Sequence, residues 1–257
     1  MLQRPAKTDD RVMDVVVLVL AASATALATG LGAVPVFLMG ARAETLRPVL
    51  LGTSIGAMTV ASIVGLLQPA LEEGSFWSVA AGSAAGVLLL WVAGALIGKR
   101  EVHVGELRGA GVRLSVLVFG VLLVHSLPEG LAIGTAYASD REGLSLFVIL
   151  AIALQNVPEG TAIALPMEAA GFSRANQLWA AVLTSAPQPL GAVIAFLVVE
   201  QVRGLLPASF AFAAGAMLAL VVFELLPQVT RRHALGAAAG TLAGASAMLA
   251  LAAAVGV

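Results

Sequence analysis

Apolar residues run on for about 20 positions or more at a time along this chain, and charged residues collect in the short gaps between the runs. Eight such runs are marked: Val12–Gly40, Leu46–Leu71, Phe76–Gly98, Arg113–Ala138, Gly143–Ala170, Gln177–Val199, Leu206–Thr230 and Ala234–Val257. Each is long enough to cross a ~30 Å hydrocarbon core as a helix. Lipid offers no partner for a free backbone N–H or C=O, so the runs predict eight transmembrane helices in an all-α membrane protein. The longest gap, Lys99–Val112, carries mixed charge and His103, which reads as a solvated loop residue. Arg4, Lys7, Asp9 and Asp10 give the chain a charged start. The run that follows is too long for a signal-peptide h-region, so the start reads as a short tail. With no soluble domain or low-complexity linker, residues 1–257 are expected to form one transmembrane domain.

The runs also repeat. Leu31-Gly32-Ala33-Val34 recurs as Leu190-Gly191-Ala192-Val193, and Gly56-Ala57-Met58 recurs as Gly215-Ala216-Met217, both at an offset of 159 residues. Pro69 and Pro227 match at 158, as do the Gly82–Gly86 and Gly240–Gly244 stretches. Segments 1–3 therefore echo segments 6–8 on either side of a central pair. Matched segments stand five apart and cross in opposite directions, an inverted 3+2+3 repeat. Secondary transporters commonly use this plan and bind cargo near midplane.

Composition sharpens the class. The chain is 60% hydrophobic and 11% charged, with mean hydropathy +0.99; soluble domains average roughly 25% charged residues. A net charge of −1 leaves no footprint for nucleic acid. There is no cysteine, so a metal here must use His, carboxylate, amide, Met or water. One set of loops carries Arg42, Arg47, Lys99, Arg100, Arg108, Arg113, Arg174, Arg231 and Arg232, and the other carries Arg4, Lys7, Arg11, Arg141 and Arg203. The richer set belongs inside, which places both termini outside the cytoplasm.

The chemistry concentrates between His125 and Gly160. Two copies of a short motif stand there, His125-Ser126-Leu127-Pro128-Glu129-Gly130 and Gln155-Asn156-Val157-Pro158-Glu159-Gly160. Ionisable residues inside apolar runs are costly and usually functional. In each copy the first residue and the Glu are four apart, on one helix face. The Pro before each Glu removes a backbone donor and frees the carbonyl four residues earlier, of Val124 and Leu154. Segments 4 and 5 form a hairpin with its tip near Asp140, with His125 and Gln155 each 15 residues from the tip and expected at one level. At 1.5 Å per residue that level is about 22 Å below the tip, near the bilayer middle. A bare carboxylate pair there repels, and a divalent cation neutralises it. One imidazole with carboxylate and amide oxygens suits Zn²⁺, Fe²⁺, Mn²⁺ or Cd²⁺.

Other polar positions leave alternatives open. Glu224 is either a Glu reaching toward the interface or a third carboxylate of the site. Met58, among small residues, is either packing or a thioether ligand. Glu72 and Glu73 are a helix-end acidic pair or an attractor of cations at the outer mouth. Pro187 and Pro189 predict a kink or break in segment 6, with Gln188 lining a cavity at most.

The doubled motif, His-Ser-Leu-Pro-Glu-Gly and Gln-Asn-Val-Pro-Glu-Gly on adjacent central segments, resembles the ZIP family of divalent-metal transporters, and the Gln155 variant resembles its bacterial GufA-like branch. The resemblance implies eight helices, outside termini and a plasma (inner) membrane location. It also implies alternating access that carries zinc first, and also Fe²⁺, Mn²⁺ or Cd²⁺, toward the cytoplasm. By it, His125, Glu129, Gln155, Asn156 and Glu159 line the transport site with Ser126 beside them. Glu224 would supply a neighbouring second metal position and Met58 a peripheral contact. Dimers are reported for the family, so a homodimer is implied. Ser126 stands where the family often has Asn, Gln155 where it often has His, and the family's His-rich cytoplasmic loop is missing. No enzymatic activity and no catalytic cofactor is expected; the metal is cargo. An intramembrane metalloprotease would want His-Glu-x-x-His on a helix, and here the order is His-x-x-x-Glu. A proton-coupled carrier of another small solute, using Glu129, Glu159 and Glu224 as relays, is the alternative; buried Arg, Lys and aromatic residues to hold such a solute are scarce.

Overall fold

The computed structural model describes residues 8–98 and 125–257, and every regular element among them is helical. The expected loop Lys99–Val112 with His103, and the expected fourth segment before residue 125, lie outside the described residues. Seven helical stretches there are long and apolar enough to cross a membrane: Arg11–Met39, Arg42–Glu73, Phe76–Ala95, Leu144–Ala169, Arg174–Gln201, Arg203–Gln228 and Ala234–Val255. Residues 125–138 are helical throughout.

Proline and glycine decide where these crossings bend. The first divides into α1 (Thr8–Leu31) and α2 (Val34–Met39), with Pro35 in the first turn of α2, where a missing N–H costs nothing. The second divides into α3 (Arg47–Ser62) and α4 (Gln68–Glu73), joined by a π-helical stretch, Ile63–Leu67. Pro69 cannot return an N–H to the carbonyl of Gly65, and the backbone widens there. α5 runs unbroken over Phe76–Gly98. The helix over 125–138 is α6, and a tight turn leads to α7 (Leu144–Ala169), which continues through Pro158 and Pro166. α8 (Arg174–Thr184) is capped by Ser173, whose hydroxyl accepts from the Asn176 N–H. It stops at the Ser185–Ala186 turn, and α9 (Pro187–Gln201) starts on its own proline. α10 (Leu206–Leu220) passes into a second π-helical stretch, Val221–Leu225, where Pro227 has no N–H to give the Phe223 carbonyl. α11 (Ala234–Val255) closes the chain.

Lipid is as apolar as leucine, so helices in a membrane associate through close fit rather than water exclusion. α11 packs along α3 and α10 along α5. Glycines stand at both crossings: Gly52 faces Ala237 and Gly56 faces Thr241, while Gly82 faces Ala208 and Gly215 faces Ser83. The interior holds Leu18, Ile133, Phe147, Ile152 and Phe210. Trp77, Leu88 and Trp91 of α5 and Leu235, Leu242 and Leu249 of α11 point outward, as suits a lipid-facing surface.

The α6–α7 hairpin is the central element. Its tip is fastened on two sides by ions. Arg141 pairs with Glu72 and, at 3.7 Å, with Glu73 at the end of α4. Arg203 donates to the Ala138 carbonyl (2.6 Å) and lies 3.6 Å from Asp140. The acidic pair Glu72/Glu73 thus meets a cation of the protein itself. The helix ends at 138 and 144 centre the hairpin on residue 141, which sets Gln155 level with Leu127, half a turn from His125 toward Glu129.

Gly160 of α7 seats against α1 so closely that a Cβ there would overlap the Thr29 carbonyl oxygen. The Gly160→Ala variant should lose about 1–3 kcal/mol, as overpacked cores do, and unfold at a lower temperature in detergent. An unchanged Tm would mean that α1 is not seated there.

Candidate functional site

The two motifs enter the interior from the paired helices α6 and α7. His125, Ser126, Glu129, Gln155, Asn156 and Glu159 are all buried, none more than 6% exposed. Glu129 sits at the centre of a hydrogen-bond cluster. The Gln155 amide nitrogen donates to its Oε1 (2.8 Å), and the Gln188 amide nitrogen donates to its Oε2 (2.7 Å). Gln188 comes from the start of α9, directly after the break in segment 6. Its own carbonyl oxygen accepts from Asn156 Nδ2 (3.3 Å) and lies 2.8 Å from the Thr25 hydroxyl, whose single proton it shares with the Ala22 carbonyl at 2.7 Å. Asn156 Nδ2 also donates to the Thr25 backbone carbonyl at 2.7 Å. One turn along α1, Thr29 and Ser185 share a hydrogen bond of 2.6 Å.

Local chemistry places these groups. Gly130 lets α6 lie against the backbone of Gln188, where any Cβ would collide, and this brings Glu129 to the amide. The turn at Ser185–Ala186 and the prolines on either side of Gln188 aim its side chain inward at a helix start. Thr161 donates to the Gly32 carbonyl (2.6 Å), satisfying a backbone group released by the α1–α2 bend.

The second carboxylate has a different environment. Glu159 is buried, and its Oε1 has no hydrogen-bond partner among the described residues. Gln155 Oε1 and His125 Nδ1 are also buried without partners. Ser126 is buried and engaged. Among the described residues no three His, Cys, Asp or Glu side chains gather tightly enough to hold a metal by themselves. Any ion taken here would need the amide oxygens as well.

The remaining sequence candidates have other surroundings. Glu224 is half-buried in a separate pocket between α5 and α10, lined by Leu90, Trp91, Gly94 and Phe223. Met58 is fully enclosed in the apolar core with Leu18, Ile55 and Leu66. The sequence undervalued Gln188 and passed over Thr25, Thr29 and Ser185. Thr25 and Thr29 stand four apart in an apolar run, the same spacing as the motif residues, and that was the available signal.

Comparison with known proteins gives concordant matches. The family described as ZIP zinc transporter matches residues 96–252. Zinc transporter GufA of Myxococcus xanthus is 31% identical over 215 residues, covering 79% of this chain and 85% of that protein. Zinc transporter ZIPB of Bordetella bronchiseptica is 31% identical over 257 residues, covering 93% of this chain and 81% of that protein. A candidate zinc transporter of Arabidopsis thaliana is 38% identical over 207 residues, and the match spans 33% of its length.

The two carboxylates should respond oppositely to neutralisation in metal-free protein. Glu129→Gln weakens two charge-assisted hydrogen bonds and should lower the unfolding temperature by removing about 1–3 kcal/mol. Glu159→Gln alters a carboxyl whose Oε1 has no hydrogen-bond partner among the described residues and should leave the unfolding temperature equal or higher. Thermal unfolding in detergent with chelator checks both; a lower Tm for Glu159→Gln than for Glu129→Gln would contradict the assignment.

Proposed function

This chain belongs to the ZIP zinc transporter family, and on that premise we propose that it carries divalent transition-metal ions across the membrane through the α6–α7 cluster. It is an integral membrane protein with membrane-spanning helices. One observation carries the proposal. Buried in the interior of the bundle, His125 Nδ1, Gln155 Oε1 and Glu159 Oε1 lack partners beside the fully hydrogen-bonded Glu129. Each unmatched buried group costs about 1–3 kcal/mol. A divalent cation held among these groups would offset that cost and keep both carboxylates ionised. The mixture of one imidazole with carboxylate and amide oxygens suits Zn²⁺ first, with Fe²⁺, Mn²⁺ and Cd²⁺ as further cargo. Zinc is also the metal in the names of the relatives.

His125, Glu129, Gln155 and Glu159 are the ligands in this reading, with Ser126 and Asn156 adjacent. Glu224 serves as a separate station outside the cluster, and Met58 acts by packing. The ion moves toward the cytoplasm by alternating access, with both termini outside the cytoplasm of a plasma membrane; the distribution of Lys and Arg supports that orientation. The metal is cargo, and no catalytic chemistry is assigned.

Eight crossings in an inverted 3+2+3 arrangement complete the reading. Its support is a set of paired features. The π-helical stretches Ile63–Leu67 and Val221–Leu225 stand 158 residues apart. Gly56 meets Thr241 of α11, and its counterpart Gly215 meets Ser83 of α5. Gly244 meets Thr53, and its counterpart Gly86 meets Phe212. A transport site between two such halves fits alternating access, in which one bundle rocks against the other.

Uptake of Zn²⁺ into proteoliposomes tests the reading. The His125→Ala and Glu159→Ala variants should insert normally and transport nothing measurable; normal uptake by either would remove that residue from the mechanism. Wild-type uptake should fall as the medium is acidified from neutral to about pH 5, because protonated carboxylates do not ligate. A flat profile over that range would exclude these ligands.

A further inference from the structure

The buried polar cluster divides into two halves with opposite character. One half is saturated. Gln188 has its nitrogen on Glu129 and its oxygen under the Thr25 hydroxyl and the Asn156 amide. Asn156 has its nitrogen on the Thr25 carbonyl, and its oxygen receives Gln188 at 3.4 Å. The other half, His125 Nδ1, Gln155 Oε1 and Glu159 Oε1, is unmatched.

We propose that Gln188 is a positioning residue that aims Glu129, and that the frame it forms with Asn156 and Thr25 takes no ion. This rests on the metal-transport reading above and deepens it. Two glutamines flank the same carboxylate, and the contrast between them carries the argument. A carboxylate only accepts, so both amides turn their nitrogens toward Glu129. An amide ligates a cation through its oxygen. Gln155 then has its oxygen unmatched among the described residues, whereas the oxygen of Gln188 accepts from Asn156 and is closed off by the Thr25 hydroxyl, which it shares with the Ala22 carbonyl. The Gln188 backbone is also wedged against Gly130, with no room for a Cβ between them, so the residue cannot back away from its partners. Asn156 is bound into the same frame, which moves it from the ligands to the scaffold. The hydroxyl of Thr25 reaches this frame from α1, so α1, α6, α7 and α9 all meet at Gln188.

The test is titration of the purified full-length chain with Zn²⁺ in detergent, by calorimetry and by elemental analysis of bound metal. Gln188→Met keeps the volume but loses both poles of the amide; it should bind as many ions per chain as the wild type, about tenfold more weakly, as the loss of one charge-assisted hydrogen bond implies. In proteoliposomes its KM should rise by about the same factor with Vmax changed far less. Thr25→Val leaves every proposed ligand in place and should raise KM in the same direction by about threefold, as loss of a neutral hydrogen bond implies. It carries the test if Gln188→Met fails to fold. Loss of a bound ion in Gln188→Met or Asn156→Ala, relative to the wild type, would make these residues ligands and overturn the proposal alone. Unchanged affinity in both Gln188→Met and Thr25→Val would also overturn it. Wild-type protein that binds no Zn²⁺ would sink the transport reading and this proposal together.

Discussion

The carboxylate of Glu129, buried where no water reaches it, imposes the constraint on which the rest of the site depends. In a membrane interior such a group must find its donors within the protein. It finds two, the amides of Gln155 and Gln188, one from each neighbouring helix. Each donor imposes its own requirement. Gln155 must lie across the hairpin at the level of Glu129, and Gln188 must project inward from a helix start. The break at Ser185–Ala186, the prolines beside Gln188 and the bare backbone of Gly130 are the local features that allow this.

The same economy governs the packing around the cluster. Helices that cannot draw on water exclusion approach until backbones nearly touch, and the glycines facing Thr29, Gln188, Thr241 and Ser83 permit it. Prolines loosen the backbone in the same bundle, and π-helical stretches absorb the mismatch at Ile63–Leu67 and Val221–Leu225. Close-packed crossings with a few widened turns combine rigid contact surfaces with places where a helix can bend. The proposed carrier cycle needs both.

Within the cluster, the division between matched and unmatched atoms separates support from binding. Atoms already paired with protein partners orient their neighbours. In the proposed reading, the acceptors left unmatched among the described residues form an environment that a cation would stabilise. A site of this kind binds with moderate strength, since part of the ligand set is neutral amide rather than charge, and cargo must also leave.

Much of this was legible in the order of residues. Long apolar runs with charges confined to the gaps leave a polypeptide in lipid no alternative to helices, and the run over Phe76–Gly98 coincides with α5. The doubled motif marks the chemistry because a carboxylate inside such a run is too costly to be incidental. The prolines of segment 6 mark a discontinuity, because proline lacks the donor that a continuing helix needs. These are local properties, determined by each segment alone. The partner of Glu129 is not local. His125 and Gln155 are equidistant from Asp140 in sequence, yet the turn centres on residue 141, and half a turn of helix carries Gln155 toward Glu129. Gln188 lies 59 residues from Glu129, and its amide becomes a donor only when Gly130 lets two backbones touch. Glu72 and Glu73 read as an open acidic pair until folding brings Arg141 to them. The sequence by itself determined the membrane class, the helices and the residues that carry charge into them. Only the tertiary structure decided which of those residues are paired and which are left unmatched, because hydrogen bonds and ion pairs depend on separations of a few ångströms between segments far apart in the chain.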